Sequence, residues 1–431
     1  MYCHTVSVLA LLGALCAPLA AQHIWKVNCL GGPGVDFTDL PPAVIAAAPG
    51  DEIWVYLNYG TICPGGPYYT ATVITKPLRI IGFDPSGSPS PSTPSKASFR
   101  GVFVLHGIAA GQQVVLSNIF LAQGNSGSQL GIVAVDCPGD LLLEDVDCWN
   151  IGIPGTYVRF ERCANVVLRG CTIRLGGYPM QFIDSTALLT TTSVYHATAA
   201  FSIGMPYEQS SEAVLVSNSM VTLIGSILRG GNRYDTSNNG YPQQNWIERP
   251  AAVIESGTLR IGPASSLYGG LNGQPYPLDR DYAYRHAPPG TGTVERDPRS
   301  VLSFWSLFGA QPIPVDIPAT YHAWVVAAQD FQVTVSGPNN GFGLLAIGDW
   351  QPVPLPTSLG PLAITLASLT LLDIAPLSAT NGAFEWTLHC PSTAAIAHAF
   401  CLQAAVLSPS GTLSLTVPSP LTVGWPHGQI P

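Results

Sequence analysis

The side chains with the most chemistry in them crowd the middle of the sequence. Asp136, Asp140, Glu144, Asp145, Asp147, Glu161 and Asp184 share that stretch with Arg169 and Arg174. Carboxylates beside a cation can hold Ca2+ or divide acid and base roles between them. If the chain is an enzyme, Asp145, Asp147, Arg169 and Arg174 are its catalytic candidates. The competing explanation is a solvated face with a cross-strand ion pair between Glu144 and Arg169. A second group suits binding. Tyr234, Tyr241, Trp246, Tyr268, Tyr276, Tyr282 and Tyr284 lie among Arg233, Arg249, Arg280 and Arg285. Aromatic faces stack on sugar rings and Arg grips carboxylates with two parallel hydrogen bonds. Tyr234, Trp246, Arg249 and Tyr282 are therefore the ligand-binding candidates, with an acidic glycan as the ligand. Loops packed in the ordinary way over a solenoid end would use the same residues. His389, Cys390, His398 and Cys401 have ligand types that suit Zn2+, but a disulfide across a hairpin accounts for the two cysteines, and no metal site is assigned. No nucleophile elbow, phosphate-binding loop or dinucleotide fingerprint occurs, so no cofactor is expected beyond Ca2+ held by such carboxylates if the chain is an enzyme.

These residues sit on a weak repeat of short apolar strands. Val115–Ile119, Leu142–Val146, Val167–Cys171, 222–226 and 259–262 each carry a Gly, Asn or Asp near the end. Those residue types tolerate bends. Gly82, Asn118, Asp145, Gly170, Gly225 and Gly262 are the expected bend positions, and 187–189 suggests one more coil inside a wide interval. Self-similarity at this period predicts stacked coils, with like positions about 4.8 Å apart. On that register Glu144 and Arg169 are equivalent, and Cys148 and Cys171 are two positions out of step. Residues 84–99, rich in Pro and Ser, read as a surface loop. Residues 230–250 and 268–290, rich in Gly, Asn, Tyr and Arg, read as long loops around the last coils, closed by a strand at 293–298.

Residues 36–82 supply the start of the stack. Asp36 and Thr38 offer N-cap oxygens, Pro41 and Pro42 suit a first helical turn, and Leu40, Val44 and Ala46 to Ala48 give a short helix one apolar face. Pro49-Gly50-Asp51 ends it, and apolar runs at 52–56, 71–74 and 78–82 read as strands. A short helix ahead of such strands suits a lid over the open end of a solenoid. The stretch resembles the opening of right-handed parallel β-helix proteins of the pectin-lyase-like superfamily. The resemblance lies in Asp36-Phe37-Thr38, Ala43, Ala46, Ala47, Pro49-Gly50-Asp51, Ile53, Val55, and Lys76-Pro77-Leu78 before Ile81-Gly82. It implies a secreted β-helix. It also implies that acidic residues on neighbouring coils, with Arg or Lys nearby, would be the place to look for a polysaccharide lyase or glycosidase. The polygalacturonase and pectinesterase motifs are absent, and Ile183-Asp184-Ser185 lacks the His of the pectate-lyase segment it echoes.

Composition sets the rest. Only 10% of the 431 residues are charged, with 44 Gly and 39 Pro, which favours many short strands joined by turns. A net charge of −9 argues against nucleic acid. Residues 5–21 read as a secretory signal with cleavage near Ala21, and no later stretch is expected to span a bilayer. Beyond Arg299 there is no Lys or Arg, and seven apolar runs between 323 and 417 alternate with turn residues. That predicts an antiparallel β-sandwich, similar in rhythm and in Gln403-Ala404-Ala405-Val406-Leu407 to the C-terminal domain of many secreted bacterial β-helix proteins. The expected division is signal 1–21, β-helix 22–300 and sandwich 301–431. Cys29–Cys63 and Cys390–Cys401 are the expected local disulfides. The function expected is a non-enzymatic secreted or cell-surface β-helix protein that binds a glycan, a cell-surface component or another partner, or serves as a scaffold. The alternative is a divergent lyase or glycoside hydrolase acting on acidic polysaccharide.

Overall fold

The computed structural model describes residues 23–57, 68–83, 96–122, 130–149, 156–175, 179–196, 212–231, 250–269, 283–286, 291–302, 311–322, 329–390 and 399–422. Among the described residues the protein is all-β apart from one short helix: a parallel β-helix followed by antiparallel sheets. Among the described residues, 24 strands form one parallel sheet wound into a solenoid. Each middle coil presents three faces. Face A stacks Glu52–Tyr56, Arg79–Phe83, 113–117, 140–144, 165–169, Thr186–Thr190, Ser219–Ile224, Gly257–Ile261 and Thr293–Arg296. Face B stacks Ala97–Arg100, 119–122, 146–149, Thr172–Leu175, Ser193–His196, Ile227–Arg229 and Ser266–Tyr268. Face C stacks Val102–His106, 131–135, 156–163, Met180–Ile183, Val214–Ser217, Ala252–Ile254 and Tyr284–His286. The coil suggested at 187–189 is present, since Thr186–Thr190 pairs with both neighbours.

Left-handed bends separate face A from face B. They fall at Asn118, Asp145, Gly170, Thr191, Gly225 and Ala264, with φ between 46° and 61°. Gly82 and Gly262 are not bends. A Cβ at Gly82 would lie 2.0 Å from the Asn118 carbonyl oxygen, and one at Gly262 would lie 2.4 Å from Ile224 Cδ1. Both glycines serve close approach between coils rather than a positive φ. The residue after most of these bends turns inward and holds the neighbouring coil. Thr192 Oγ1, Ser226 Oγ and Ser265 Oγ accept from the N–H groups of Cys171, Thr192 and Ser226 at 3.4, 3.1 and 3.4 Å. Ser185 and Ser219 do the same after the bends between faces C and A, accepting from Cys163 N and Ser185 N at 3.0 and 2.9 Å. Most other interior side chains are apolar, with Phe99, Phe103, Phe160, Phe182 and Tyr284 fully buried.

The lid is the helix Leu40–Ala46, which buries Leu40, Ala43 and Val44. Its N-cap is Asp39, whose side chain accepts from Leu40 N at 2.8 Å. Asp36, the expected cap, instead accepts from Lys26 N at 2.8 Å, tying the opening strand to the turn. Lys76 Nζ reaches the carbonyls of Ile45 and Ala47 and closes the helix C-terminus. Of the expected loop at 84–99, residues 84–95 lie outside the described residues, and Ala97–Arg100 is a strand of face B.

The parallel sheet runs on through Ile313–Pro314, and antiparallel pairing begins at Ala319. A three-stranded sheet (Ala319–His322, Asp330–Ser336, Ala383–His389) faces a six-stranded sheet built on Phe342–Thr357 and Ala399–Leu407. Phe331, Val333, Val335 and Trp386 meet Leu345, Leu402, Ala404 and Val406 between them. Gln403 is buried but fully used: Oε1 accepts from Ala363 N, and Nε2 donates to the Pro361 and Thr416 carbonyls. The expected Cys390–Cys401 disulfide is absent. Cys390 packs between the two sheets, whereas Cys401 points at the solenoid, so their Cβ vectors diverge. Cys137, Cys148, Cys163 and Cys171 are free, buried thiols, and Cys148 lies beside Ile173, two positions from Cys171. Cys63 lies outside the described residues, and so does the pairing expected for it. Residues 1–22 lie outside them as well.

Candidate functional site

Faces A and B treat their outward side chains in opposite ways. On face A, Val115, Leu142 and Val167 point outward and pack against Ala346, Trp350, Ala363, Ile364 and Cys401 of the C-terminal sheets. Ile224 does the same with Ile317 and Ala319. The C-terminal domain therefore covers this face.

Arg169 and Glu144 lie beneath that cover. They are paired in register, as the repeat requires, and form an ion pair at 2% and 0% side-chain exposure. The other side of the guanidinium meets His322 Nε2, and His322 Nδ1 lies 2.7 Å from Ser419 Oγ. Arginine only donates, so Nε2 is an acceptor and the ring is neutral with its proton on Nδ1. Burial pushes His322 far below the usual imidazole range, and the Arg169 charge pushes the same way. The cross-strand ion pair expected between Glu144 and Arg169 is thus present but buried rather than solvated, and it links solenoid and sandwich. Asp140 is also buried on this face. It accepts from Asn165 Nδ2 at 2.6 Å, and burial lifts its carboxyl to about 6.

Asp145 and Asp147 lie at the corner where face A turns into face B. Lys96 Nζ sits between them, 2.7 Å from Asp145 Oδ1 and 3.0 Å from Asp147 Oδ2. Burial acts to lower the Lys96 pKa, but the two carboxylates outweigh it and hold the ammonium above its ordinary value. Burial raises Asp145 despite Lys96. The remaining carboxylates scatter. Asp136 and Glu161 pair with Arg162 on the bend between faces C and A, and Asp184 accepts from Asn218 on the next such bend.

Face B is open on its outer side. Ile173, Val194, Leu228 and Leu267 point inward, so alternation sends their neighbours outward. One outward row then reads Trp149, Arg174, Tyr195, Arg229, Tyr268, each in register with the next. Trp149 and Tyr268 are 36% and 38% exposed, and the other three are half-buried. The Arg174 guanidinium carbon lies 4.1 Å from the centroid of the Trp149 ring, and Phe120 meets the other part of that ring edge-on. That stacking fixes one guanidinium as a planar fork beside an open aromatic row. Of the four catalytic candidates, Asp145, Asp147 and Arg174 thus border face B, and Arg169 is sealed under face A. Tyr234, Trp246, Arg249 and Tyr282 lie outside the described residues, in the segments joining face B to face C.

The row of Trp149, Arg174, Tyr195, Arg229 and Tyr268 had a signal in the sequence. Each member stands four residues after a bend. Asp145, Gly170 and Gly225 are recognisable as bends by residue type. Thr191 and Ala264 are not, which hid Tyr195 and Tyr268 from the register. Lys96 was hidden because it precedes a strand that the Pro/Ser stretch disguised.

Among the described residues, no group of three or more His, Cys, Asp or Glu side chains is placed to hold a metal ion. His389 pairs with Asp330 at 2.8 Å on the surface, and His398 lies outside the described residues. No described helix is long and apolar enough to cross a membrane. Neither the known protein families nor the curated proteins give a match to this chain.

Proposed function

We propose that this protein is a secreted or cell-surface β-helix that binds an acidic glycan along face B without cleaving it. The observation that carries the reading is the open row in which aromatic and Arg side chains alternate in register. Sugar rings lie on aromatic faces, and a guanidinium fork matches a carboxylate. The pectin-lyase-like resemblance of residues 36–82 and the secretory pattern of residues 5–21 agree with an extracellular role. The competing reading is a lyase or glycoside hydrolase using Asp145 and Asp147. Against it, Lys96 occupies both carboxylates, and an ammonium held protonated by two anions is a poor base.

The test is a titration of the secreted chain with acidic and neutral polysaccharides at several salt concentrations, with unsaturated-product absorbance and new reducing ends followed in parallel. The expected result is salt-sensitive binding to acidic glycans and no turnover. Turnover abolished by Asp145→Ala would replace this reading with the enzymatic one. Absence of binding across the panel would remove it.

A further inference from the structure

We infer that face B selects a linear polysaccharide carrying one carboxylate on every second sugar, rather than a homopolymer charged at every unit. The inference rests on the glycan-binding reading above and adds the charge spacing of the ligand. Rungs of a parallel β-solenoid repeat every 4.8 Å or so. Arg174 and Arg229 stand two rungs apart, with Tyr195 between them and Tyr268 beyond. The two cationic forks are therefore about 9.6 Å apart, with an aromatic platform at the midpoint. One rung is comparable to the advance of one sugar along an extended glycan. A chain lying along the row then meets a fork, a ring platform, a fork and a second platform in turn. An alternating polymer places an acidic sugar at each fork and an uncharged ring on each tyrosine.

A homopolymeric polyuronate fits less well. Every second carboxylate would lie over Tyr195 or Tyr268, the two positions of the row whose side chains are not cationic. A carboxylate moved out of water onto an aromatic face loses hydration and gains no partner. Trp149 belongs to the Arg174 fork, because the guanidinium already lies over its ring. The row thus offers two anion positions and two ring positions, matched to two repeats of an alternating disaccharide.

The test compares soluble fragments of equal length by calorimetry on the full secreted chain: an alternating uronate and N-acetylhexosamine polymer, a homopolymeric galacturonate, and a neutral β-linked glucan. The expected order is alternating polymer first, tighter than the homopolymer by about tenfold or more, with the glucan weakest. Arg229→Ala is expected to remove most of that preference, and Tyr195→Ala to weaken the alternating polymer more than the homopolymer. Arg229→Lys, which keeps the charge and loses the fork, should fall between. Unfolding midpoints of each variant report that the solenoid is intact. Equal or tighter binding of the homopolymer overturns the spacing inference and leaves acidic-glycan binding standing. Failure of both acidic polymers to bind overturns both.

Discussion

Arg169 and Arg174 are five positions apart in sequence and sit on opposite sides of one bend. Arg169 lies on face A, ion-paired to Glu144, stacked under the C-terminal domain and engaged with His322. Arg174 lies on face B, spread over Trp149 at the open surface. Their strands are equally regular. What differs is what lies above each face. A row of outward apolar residues, Val115, Leu142 and Val167, recruits the sandwich onto face A and turns the neighbouring charges into a buried link. Face B carries mostly polar residues and exposed rings instead, and among the described residues it has no such apolar cover. In a solenoid, the outer neighbours of a charged residue decide whether it serves structure or recognition.

The largest expected effect separates the two arginines. Arg169→Ala leaves Glu144 buried without its partner and should cost about 3–5 kcal/mol in denaturant unfolding. Arg174→Ala at the open surface should stay within about 0.5 kcal/mol of the parent. Equal losses would erase the contrast between the faces. Next comes Asp140. Its carboxyl is raised to about 6 in the folded protein, so its favourable contribution is complete below the unfolded value and is lost as pH rises through about 6. Asp140→Asn should therefore stabilise the protein at neutral pH, by on the order of 2–3 kcal/mol, and flatten the pH dependence between about 4 and 6. Stability measured across that range in both proteins checks the sign.

His322 has the opposite sign. Its folded pKa is depressed, so its contribution is present above about pH 6.5 and falls by about 1.4 kcal/mol for each pH unit below that. His322→Asn should remove that acid limb, and an unchanged limb would mean that another group, not His322, carries the acid dependence. The smallest effect belongs to the corner of face B. Asp147→Asn removes a negative charge on the coil next to Arg174, two positions along the strand, and frees part of the Lys96 charge. Affinity for an acidic glycan should rise by roughly twofold, as surface charge pairs are weak. A decrease would indicate that Asp147 contacts the ligand.

The architecture was legible because its signals are local. Pro41, Pro42 and Pro49-Gly50-Asp51 bracket the lid helix, and Asn118, Asp145, Gly170 and Gly225 announce bends by residue type. Several C-terminal strands followed from apolar runs between turns, with 399–407 matching its observed bounds, whereas the run 362–372 divides into Gly360–Ile364 and Thr370–Pro376 and the run 323–328 lies outside the described residues. The site was harder to read, since it depends on relations that sequence does not carry. Thr191 and Ala264 adopt bends that their residue types do not favour, held by backbone pairing such as Thr191 N to Ile224 O at 2.9 Å. That concealed two rungs of the row. The fate of Arg169 depended on which face the sandwich would cover, a contact between residues such as Val167 and Trp350 far apart in the chain. Cys390 and Cys401 looked like a hairpin disulfide because they are near in sequence, yet successive strands turned them toward different cores.

The most direct test of the account is the affinity of the Arg174→Ala/Arg229→Ala double variant for an acidic polysaccharide, measured beside the parent at the same low salt. Face B as the binding surface predicts a loss of about thirtyfold or more with an unchanged unfolding midpoint. Undiminished binding by the double variant would contradict it.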